Sequence, residues 1–300
     1  MIKDFKALKA EAKKKKGLVV GVPAPEDNNS ILTILKAHKE SIADFILTGD
    51  KKKIEDLIIS NGGDPKNFDI INCISVEESA EKIVSLANEK KVHVILKGFL
   101  PTAKLMKPVL DKKTGLRTDN LLSDILLLEN PVYPEKGFVG LTDGGLVILP
   151  DIKQKKGIIE NGVKVFHKLN YSNPKVGIMA AIESVKESMP STVDADILTT
   201  MNKNGEIGGC EIYGPLAFDI AVSEDAAHHK GIINNVAGNV QIMVMPNIEA
   251  GNLLGKCFTY YMKKQVAHVV MGAKIPILIP SRNEGEIDKI NSIALGITIA

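Results

Sequence analysis

Ser281 and Arg282, followed closely by Glu284, Glu286 and Asp288, bring together a hydroxyl, a guanidinium and three carboxylates. A hydroxyl can donate a hydrogen bond to an anion. A guanidinium can grip phosphate or carboxylate through two parallel N–H bonds, where an ammonium acts only as a point charge. A carboxylate can remove or return a proton. The chain has 38 lysines and arginines, yet Arg117 and Arg282 are its only arginines, which marks both as places where lysine does not serve. Ser281 has no histidine near it in sequence to activate it as a nucleophile, so its hydroxyl is read as a hydrogen-bond donor. Spacing alone does not choose among the three carboxylates.

These residues follow a short apolar strand, Ile275 to Ile279, that Pro280 stops before a helical pattern begins near Ile287. Open α/β sheets place ligands at such carboxyl ends, where helix N-termini aim unpaired N–H groups at anions. The first half of the chain repeats the same unit. Strands are expected at Gly17 to Val22, Ile42 to Leu47, Asp69 to Ile74 and Val92 to Leu96. The helices between them are Ser30 to Lys39, Lys51 to Ser60, and one opened by Ser75 and Glu78 in a capping-box pattern. Lys97-Gly98-Phe99 then leads to a lysine-rich helix start, Thr102 to Pro108, at a position suited to anions.

Beyond this point the rhythm changes. Leu121 to Leu128 and Gly137 to Leu149 are strand-like, with a turn expected at Asp143-Gly144-Gly145 and an antiparallel insertion. Helices are expected over Val163 to Leu169, Val193 to Met201, Asn252 to Lys264 and Ile287 to Ala300. Further strands fall at Lys175 to Ala181, Gly238 to Met245 and Val266 to Met271. Asn130-Pro131 and Tyr133-Pro134 carry the domain-boundary signal of this half. The expected division is residues 1–130 with 275–300 as a discontinuous first α/β domain, and 131–274 as a second.

Composition excludes several functions. A net charge of +2 argues against a general nucleic-acid or membrane binder, and 4% aromatic residues without tryptophan argue against base or sugar stacking platforms. The lysines around Ile2, Phe5 and Leu8 read as the solvated face of a terminal helix. Cys73, Cys210 and Cys257 lack metal-ligand or redox spacing, as expected for reduced thiols in a cytoplasmic protein. No apolar run is long enough to span a membrane, and no signal peptide is evident. There is no Gly-x-Gly-x-x-Gly after the first strand, no Walker A lysine, no His-Glu-x-x-His and no Gly-x-Ser-x-Gly. His228-His229 is a poor chelate, because adjacent helical residues diverge by about 100 degrees.

The whole pattern resembles the phosphate acetyltransferase and phosphate butyryltransferase family, and most the butyryl branch. Its carriers are Lys97-Gly98 with Thr102-Ala103, Gly115-Leu-Arg117-Thr118, Lys175-Val-Gly-Ile-Met-Ala, Met189-Pro-Ser-Thr192, Gly214-Pro-Leu-Ala-Phe-Asp219 and Ala226-Ala-His-His-Lys-Gly231. More specific are Pro246-Asn247-Ile-Glu-Ala-Gly251-Asn252, Thr259-Tyr260-Tyr261, Gly272-Ala273-Lys274-Ile-Pro276, Ser281-Arg282 and Ser292-Ile-Ala-Leu295. The resemblance implies reversible reaction of acyl-CoA with inorganic phosphate to give acyl phosphate and CoA. It also implies a two-domain α/β fold of the isocitrate/isopropylmalate-dehydrogenase type, with mixed, mostly parallel sheets, helices on both faces and the active site in the interdomain cleft. In the family an arginine after a serine stabilises the transferring group, and an acid six residues further on acts as base toward the CoA thiol. Those roles fall on Arg282, Ser281 and Asp288.

The resemblance also places Thr102, Lys107, Arg117, Asn252, Tyr260 and Lys274 as substrate-binding residues, with Lys104 and Lys256 as further candidates for the CoA phosphates. No metal or cofactor is expected, CoA being a substrate, and a homodimer or higher homo-oligomer is expected. Three departures stand out. Tyr260 occupies a place where acetyl-specific relatives have arginine, Lys107 replaces a usual arginine, and Gly285 replaces a common serine. A hydroxy-acid oxidoreductase of the same fold would need clustered metal-binding aspartates and several arginines, which this chain lacks. A non-catalytic acyl-CoA sensor would have no use for Ser281, Arg282 and Asp288 together.

Overall fold

The computed structural model describes residues 1–281 and 284–300. Two compact units emerge: residues 5–120 with 267–300, and residues 1–4 with 121–266. In chain order the elements begin α1 (Phe5–Ala12), β1 (Val19–Pro23), α2 (Asn28–Lys39), β2 (Asp44–Gly49), α3 (Lys51–Ser60), β3 (Asp69–Asn72), α4 (Val76–Asn88), β4 (Val94–Leu96) and α5 (Thr102–Val109). They continue as β5 (Ser123–Glu129), β6 (Phe138–Thr142), α6 (Ile152–Lys168), β7 (Lys175–Met179), α7 (Pro190–Lys203), β8 (Glu211–Leu216), α8 (Phe218–Val222), α9 (Glu224–His229), β9 (Ile242–Val244) and α10 (Ile248–Lys256). The last are β10 (Val266–Met271), β11 (Ile277–Leu278) and α11 (Glu286–Ile299).

The unit containing both chain halves orders its strands β3-β2-β1-β4-β11-β10. All neighbours are parallel except β10, which runs antiparallel to β11 with Val270 opposite Ile277. Val20, Val22, Leu47, Val94 and Ile95 are fully or almost fully buried, as the near-continuous apolar runs of parallel strands require. Local signals start the helices. Asp27 Oδ1 accepts the Ser30 N–H at 3.0 Å, and Asp50 Oδ1 accepts that of Lys53 at 3.1 Å. Ser75 Oγ accepts the Glu78 N–H at 3.1 Å, but the Glu78 carboxylate takes the Ile74 N–H at 2.7 Å, one residue before the expected reciprocal partner. From Lys289 to Ile299 every residue of α11 is buried, the mark of a helix enclosed on all sides. Phe5, Leu8 and Ala12 of α1 pack toward it, while Lys3, Lys6 and Lys13 to Lys16 stay in solvent.

The other unit orders its strands β5-β6-β9-β7-β8. Only β5 and β6 are antiparallel, with Leu126 opposite Leu141. A full capping box between Asp151 and Gln154 opens α6, at 2.7 and 3.0 Å. The first residues of the chain join this unit because the Ile2 N–H donates to Leu169 O at 2.9 Å, and the buried Tyr171 hydroxyl donates to Ile2 O at 3.0 Å. The strand expected through Leu149 ends at Thr142. Asp143 Oδ1 accepts the N–H groups of Gly145 and Leu146, at 2.7 and 2.8 Å, so the chain turns out of the sheet and leaves Ile148 and Leu149 exposed. The helix expected from Asn252 starts earlier, because Asn247 Oδ1 caps it at Ala250 N–H, and it ends in a π-helical turn, Cys257–Tyr261. β8 has no counterpart in the sequence reading, since Gly214-Pro215 interrupts its pattern; an edge strand tolerates proline. Among the described residues no helix is long and apolar enough to cross a membrane. Cys73 and Cys210 are buried thiols, and burial pushes the Cys210 thiol up to about 11.

Candidate active site

The register of one strand pair sets the stage. β11 lies parallel to β4, with Ile277 opposite Ile95 and Leu278 opposite Leu96, and the Lys97 N–H donates to Leu278 O at 2.9 Å. The carboxyl ends of the two strands are therefore neighbours, and the Lys97 to Thr102 loop emerges beside Ser281. That loop is held tightly. A Cβ at Gly98 would collide with the Pro23 carbonyl oxygen and come within 2.6 Å of Ala24 O, the same oxygen that accepts the Phe99 N–H at 2.6 Å. Ala24 itself has φ of +49°, a left-handed conformation that non-glycine residues seldom adopt. Thr102 is the first, exposed residue of α5, whose N-cap, Pro101, offers no side-chain acceptor; the Lys104 N–H donates to Pro101 O at 2.9 Å, and the Thr102 and Ala103 N–H groups have no side-chain cap.

On the reactive loop the Ser281 N–H donates to Glu284 Oε1 at 2.9 Å and the Glu284 N–H returns to Ser281 O at 3.1 Å. Arg282 and Asn283, between them in sequence, lie outside the described residues. The Ser281 hydroxyl makes no hydrogen bond to a described residue. Gly285 caps α11 without a side chain, and nothing stands within 4 Å of a Cβ built there, so the space for the missing serine remains. Asp288 sits in the first turn of α11, where the helix N-terminus favours a negative charge.

The other two carboxylates have structural partners. Glu286 binds Lys36 Nζ at 2.6 Å and thereby raises the pKa of that lysine. Glu284 holds the Ser281 N–H and lies 3.5 Å from His268 Nε2.

Lysines and arginine are distributed unevenly around this edge. Lys104 pairs with Glu77 at 2.8 Å, a half-exposed contact of little worth to stability, and Lys107 is exposed further along α5. Lys274 and Arg117 lie at the opposite, amino edge of the same strands. The Lys274 ammonium donates to Asn88 Oδ1 at 2.8 Å and Gly115 O at 3.1 Å, its N–H reaches Leu116 O, and Thr118 Oγ1 donates to Gly272 O at 2.6 Å. Arg117 is exposed on that anchored loop. Lys97 and Ser281 thus follow the adjoining carboxyl ends of β4 and β11, while Lys274 precedes β11 and is tied to the Gly115–Leu116 segment next to Arg117.

In the second unit, the Asn252 amide donates to Gly144 O at 3.0 Å, and Gly251 lies so close to Asp143 O that a Cβ would stand 2.5 Å from it. Helix α10 is thus seated on the turn after β6. Tyr260 is eight residues beyond Asn252, about 12 Å of helical rise away, half exposed, with Lys256 Nζ 5.9 Å from its ring centroid. Phe258 is core, while Leu253 is exposed beside Asn252.

Asp143 was read only as a turn residue. Its carboxylate is buried, and desolvation, then the charge of Asp124, push its pKa up to about 6 against three backbone N–H donors. A pKa raised by folding means that the protonated form favours the native state, so this contribution is present at low pH and lost as pH rises through about 6. The difference in Tm between Asp143→Asn and the parent should shift in favour of the variant from about pH 4 to 6. A difference independent of pH contradicts this. An Asp-Gly-Gly triplet whose side chain bonds its own following N–H groups is the signal that could have revealed it. His268, a lone histidine in an apolar strand, gave no comparable signal.

His228 and His229 are exposed at the end of α9, and among the described residues no group of His, Cys, Asp and Glu is placed to hold a metal ion.

The family model described as Phosphate acetyl/butaryl transferase matches residues 84–297. The chain is 38% identical over 300 residues to the phosphate butyryltransferase of Clostridium acetobutylicum, covering 100% of this chain and 99% of that protein. Among solved structures, a branched-chain phosphotransacylase from Enterococcus faecalis V583 superposes with a TM-score of 0.84 at 27% identity, covering 94% of this chain and 98% of that one. A 4-hydroxythreonine-4-phosphate dehydrogenase from Klebsiella pneumoniae shares the fold alone, with a TM-score of 0.54 at 12% identity over 95% and 99% of the two chains.

Proposed function

The chain belongs to the phosphate acetyl/butyryl transferase family, and from that premise we propose that it moves butyryl or a similar short acyl group directly between CoA and phosphate, with Ser281, Arg282 and Asp288 as the reacting constellation. It is an acyltransferase: acyl-CoA and inorganic phosphate are converted reversibly to acyl phosphate and CoA. The observation that supports the assignment of the site is the parallel register of β4 and β11, in which the Lys97 N–H donates to Leu278 O where the two strands end.

In the forward direction a phosphate oxygen attacks the thioester carbonyl, negative charge grows on the carbonyl oxygen, and the C–S bond breaks to release the thiolate. Arg282 anchors phosphate and donates toward the growing oxyanion, and Ser281 donates to phosphate. Asp288 takes the proton that the attacking hydrogen phosphate gives up and passes it to the departing thiolate; in reverse it removes the proton from the CoA thiol and returns it to phosphate. The start of α5 with Thr102 and Lys107 receives anionic groups of the substrates, and Asn252 and Tyr260 contribute further substrate contacts. Arg117 and Lys274 serve the CoA phosphates in this scheme. No electrons change hands, so the scheme includes no redox cofactor. In the same proposal the enzyme is cytosolic and works as a homodimer or higher homo-oligomer.

The experiment is to mix butyryl phosphate with CoA and follow the free thiol. Loss of thiol with formation of butyryl-CoA is expected, and its absence rejects the function.

Two further results follow. Butyryl-CoA should exceed acetyl-CoA in kcat/KM by roughly tenfold, since each buried methylene contributes about 0.8 kcal/mol and Tyr260 replaces the arginine of acetyl-specific relatives. Equal or better use of acetyl-CoA overturns this preference. Initial rates should give intersecting lines, as for a ternary complex, because the Ser281 hydroxyl has no base bonded to it among the described residues and phosphate is a competent nucleophile when held close. Parallel lines, or an acyl group trapped on Ser281, reject direct transfer.

A further inference from the structure

The geometry points to His268 as a positioning residue that holds both ends of the reactive loop, a role that rests on the phosphate acyltransferase site proposed above. His268 is the third residue of β10, which runs antiparallel to β11, so it stands beside the point where the chain leaves β11 for Ser281. Its side chain is 18% exposed and its Nε2 lies 3.5 Å from Glu284 Oε1, on a carboxylate that is 9% exposed. The same Oε1 accepts the Ser281 N–H at 2.9 Å. The backbone of His268 reaches the other end of the loop. Its N–H donates to Ser292 Oγ at 2.9 Å, and that fully buried hydroxyl donates to Asp288 O, also at 2.9 Å. One strand residue thus touches both the group that fixes the Ser281 backbone and the group that fixes the Asp288 backbone.

The imidazole matters because Glu284 is largely withdrawn from water. A carboxylate there needs donors to remain charged and in place, and an imidazole nitrogen 3.5 Å from Oε1 is near enough to supply one. Glu284 in turn is joined to Ser281 by two hydrogen bonds. Loosening the carboxylate weakens that link and lets the Ser281 backbone wander. Displacements of this kind act on reaction geometry more than on substrate affinity. The backbone link to Ser292 survives any substitution of the side chain, so the imidazole can be tested by itself.

His268→Leu and His268→Gln separate positioning from bulk stability, because the glutamine amide can still donate to Glu284. In His268→Leu, kcat should fall by about tenfold with KM for butyryl-CoA within about twofold. Hydrogen exchange at the Ser281 amide, read by NMR without turnover, should accelerate by about tenfold, and His268→Gln should recover most of both losses. An active parent whose Ser281 exchange and kcat are unchanged in His268→Leu rejects the role of His268 and leaves the acyltransferase assignment standing. A lowered Tm in both variants with normal turnover per folded molecule rejects it as well, in favour of a packing role. A parent without phosphate-dependent thiol release sinks the acyltransferase assignment, and the positioning role with it.

Discussion

Arg282→Lys is expected to lower kcat by about two orders of magnitude, equivalent to about 3 kcal/mol of transition-state stabilisation, with Tm close to that of the parent. Lysine keeps the charge and loses the planar fork, so it cannot hold phosphate at two points while donating toward the oxyanion. In a chain whose basic residues are otherwise almost all lysine, the survival of arginine beside Ser281 is what makes this forecast specific. Arg282 lies outside the described residues, as does Asn283; Ser281 and Glu284, on either side of the pair in sequence, are bonded to each other reciprocally. An arginine that only tethered α11 would behave in the opposite way, lowering Tm while leaving turnover per folded molecule intact. Kinetics and thermal unfolding on one preparation distinguish the two.

Asp288→Asn should lower kcat by about a hundredfold or more with a smaller effect on KM, as expected of a group that moves a proton in the transition state. Glu284 and Glu286 serve as internal comparisons. Glu286→Gln loses an ion pair to Lys36 whose partners are 32% and 45% exposed, so little change in turnover is expected. Glu284→Gln should disturb the Ser281 turn and fall between the two. A damaging Glu286→Gln with a nearly silent Asp288→Asn moves the base to Glu286 and contradicts the assignment.

Local chemistry made much of the fold readable. α3 begins and ends where its Asp50 cap and the Gly62-Gly63 pair say it should, and β10 spans the apolar run Val266–Met271 without adjustment. β8 was hidden because its identity as an edge strand, not its own residues, permits Pro215. The turn at Asp143-Gly144-Gly145 lies where it is expected, but the apolar run after it, Leu146 to Leu149, resembles a strand until the Asp143 carboxylate is seen to divert the backbone.

The site was legible only in part for a related reason. Ser281, Asp288 and Thr102 announce themselves by lying after apolar strands, but strand order alone brings Lys97 to Leu278. Lys274 is close to Ser281 in sequence, yet β11 runs between them, so the two lie at opposite ends of it. His268 reaches Glu284 only through the antiparallel pairing of β10 with β11, which no local pattern encodes.

The most direct measurement follows thiol release from butyryl-CoA with and without inorganic phosphate, while phosphorus NMR counts the acyl phosphate formed. The account predicts release that depends on phosphate, with one butyryl phosphate for each thiol. Thiol release at the same rate without phosphate, or release unaccompanied by acyl phosphate, contradicts it.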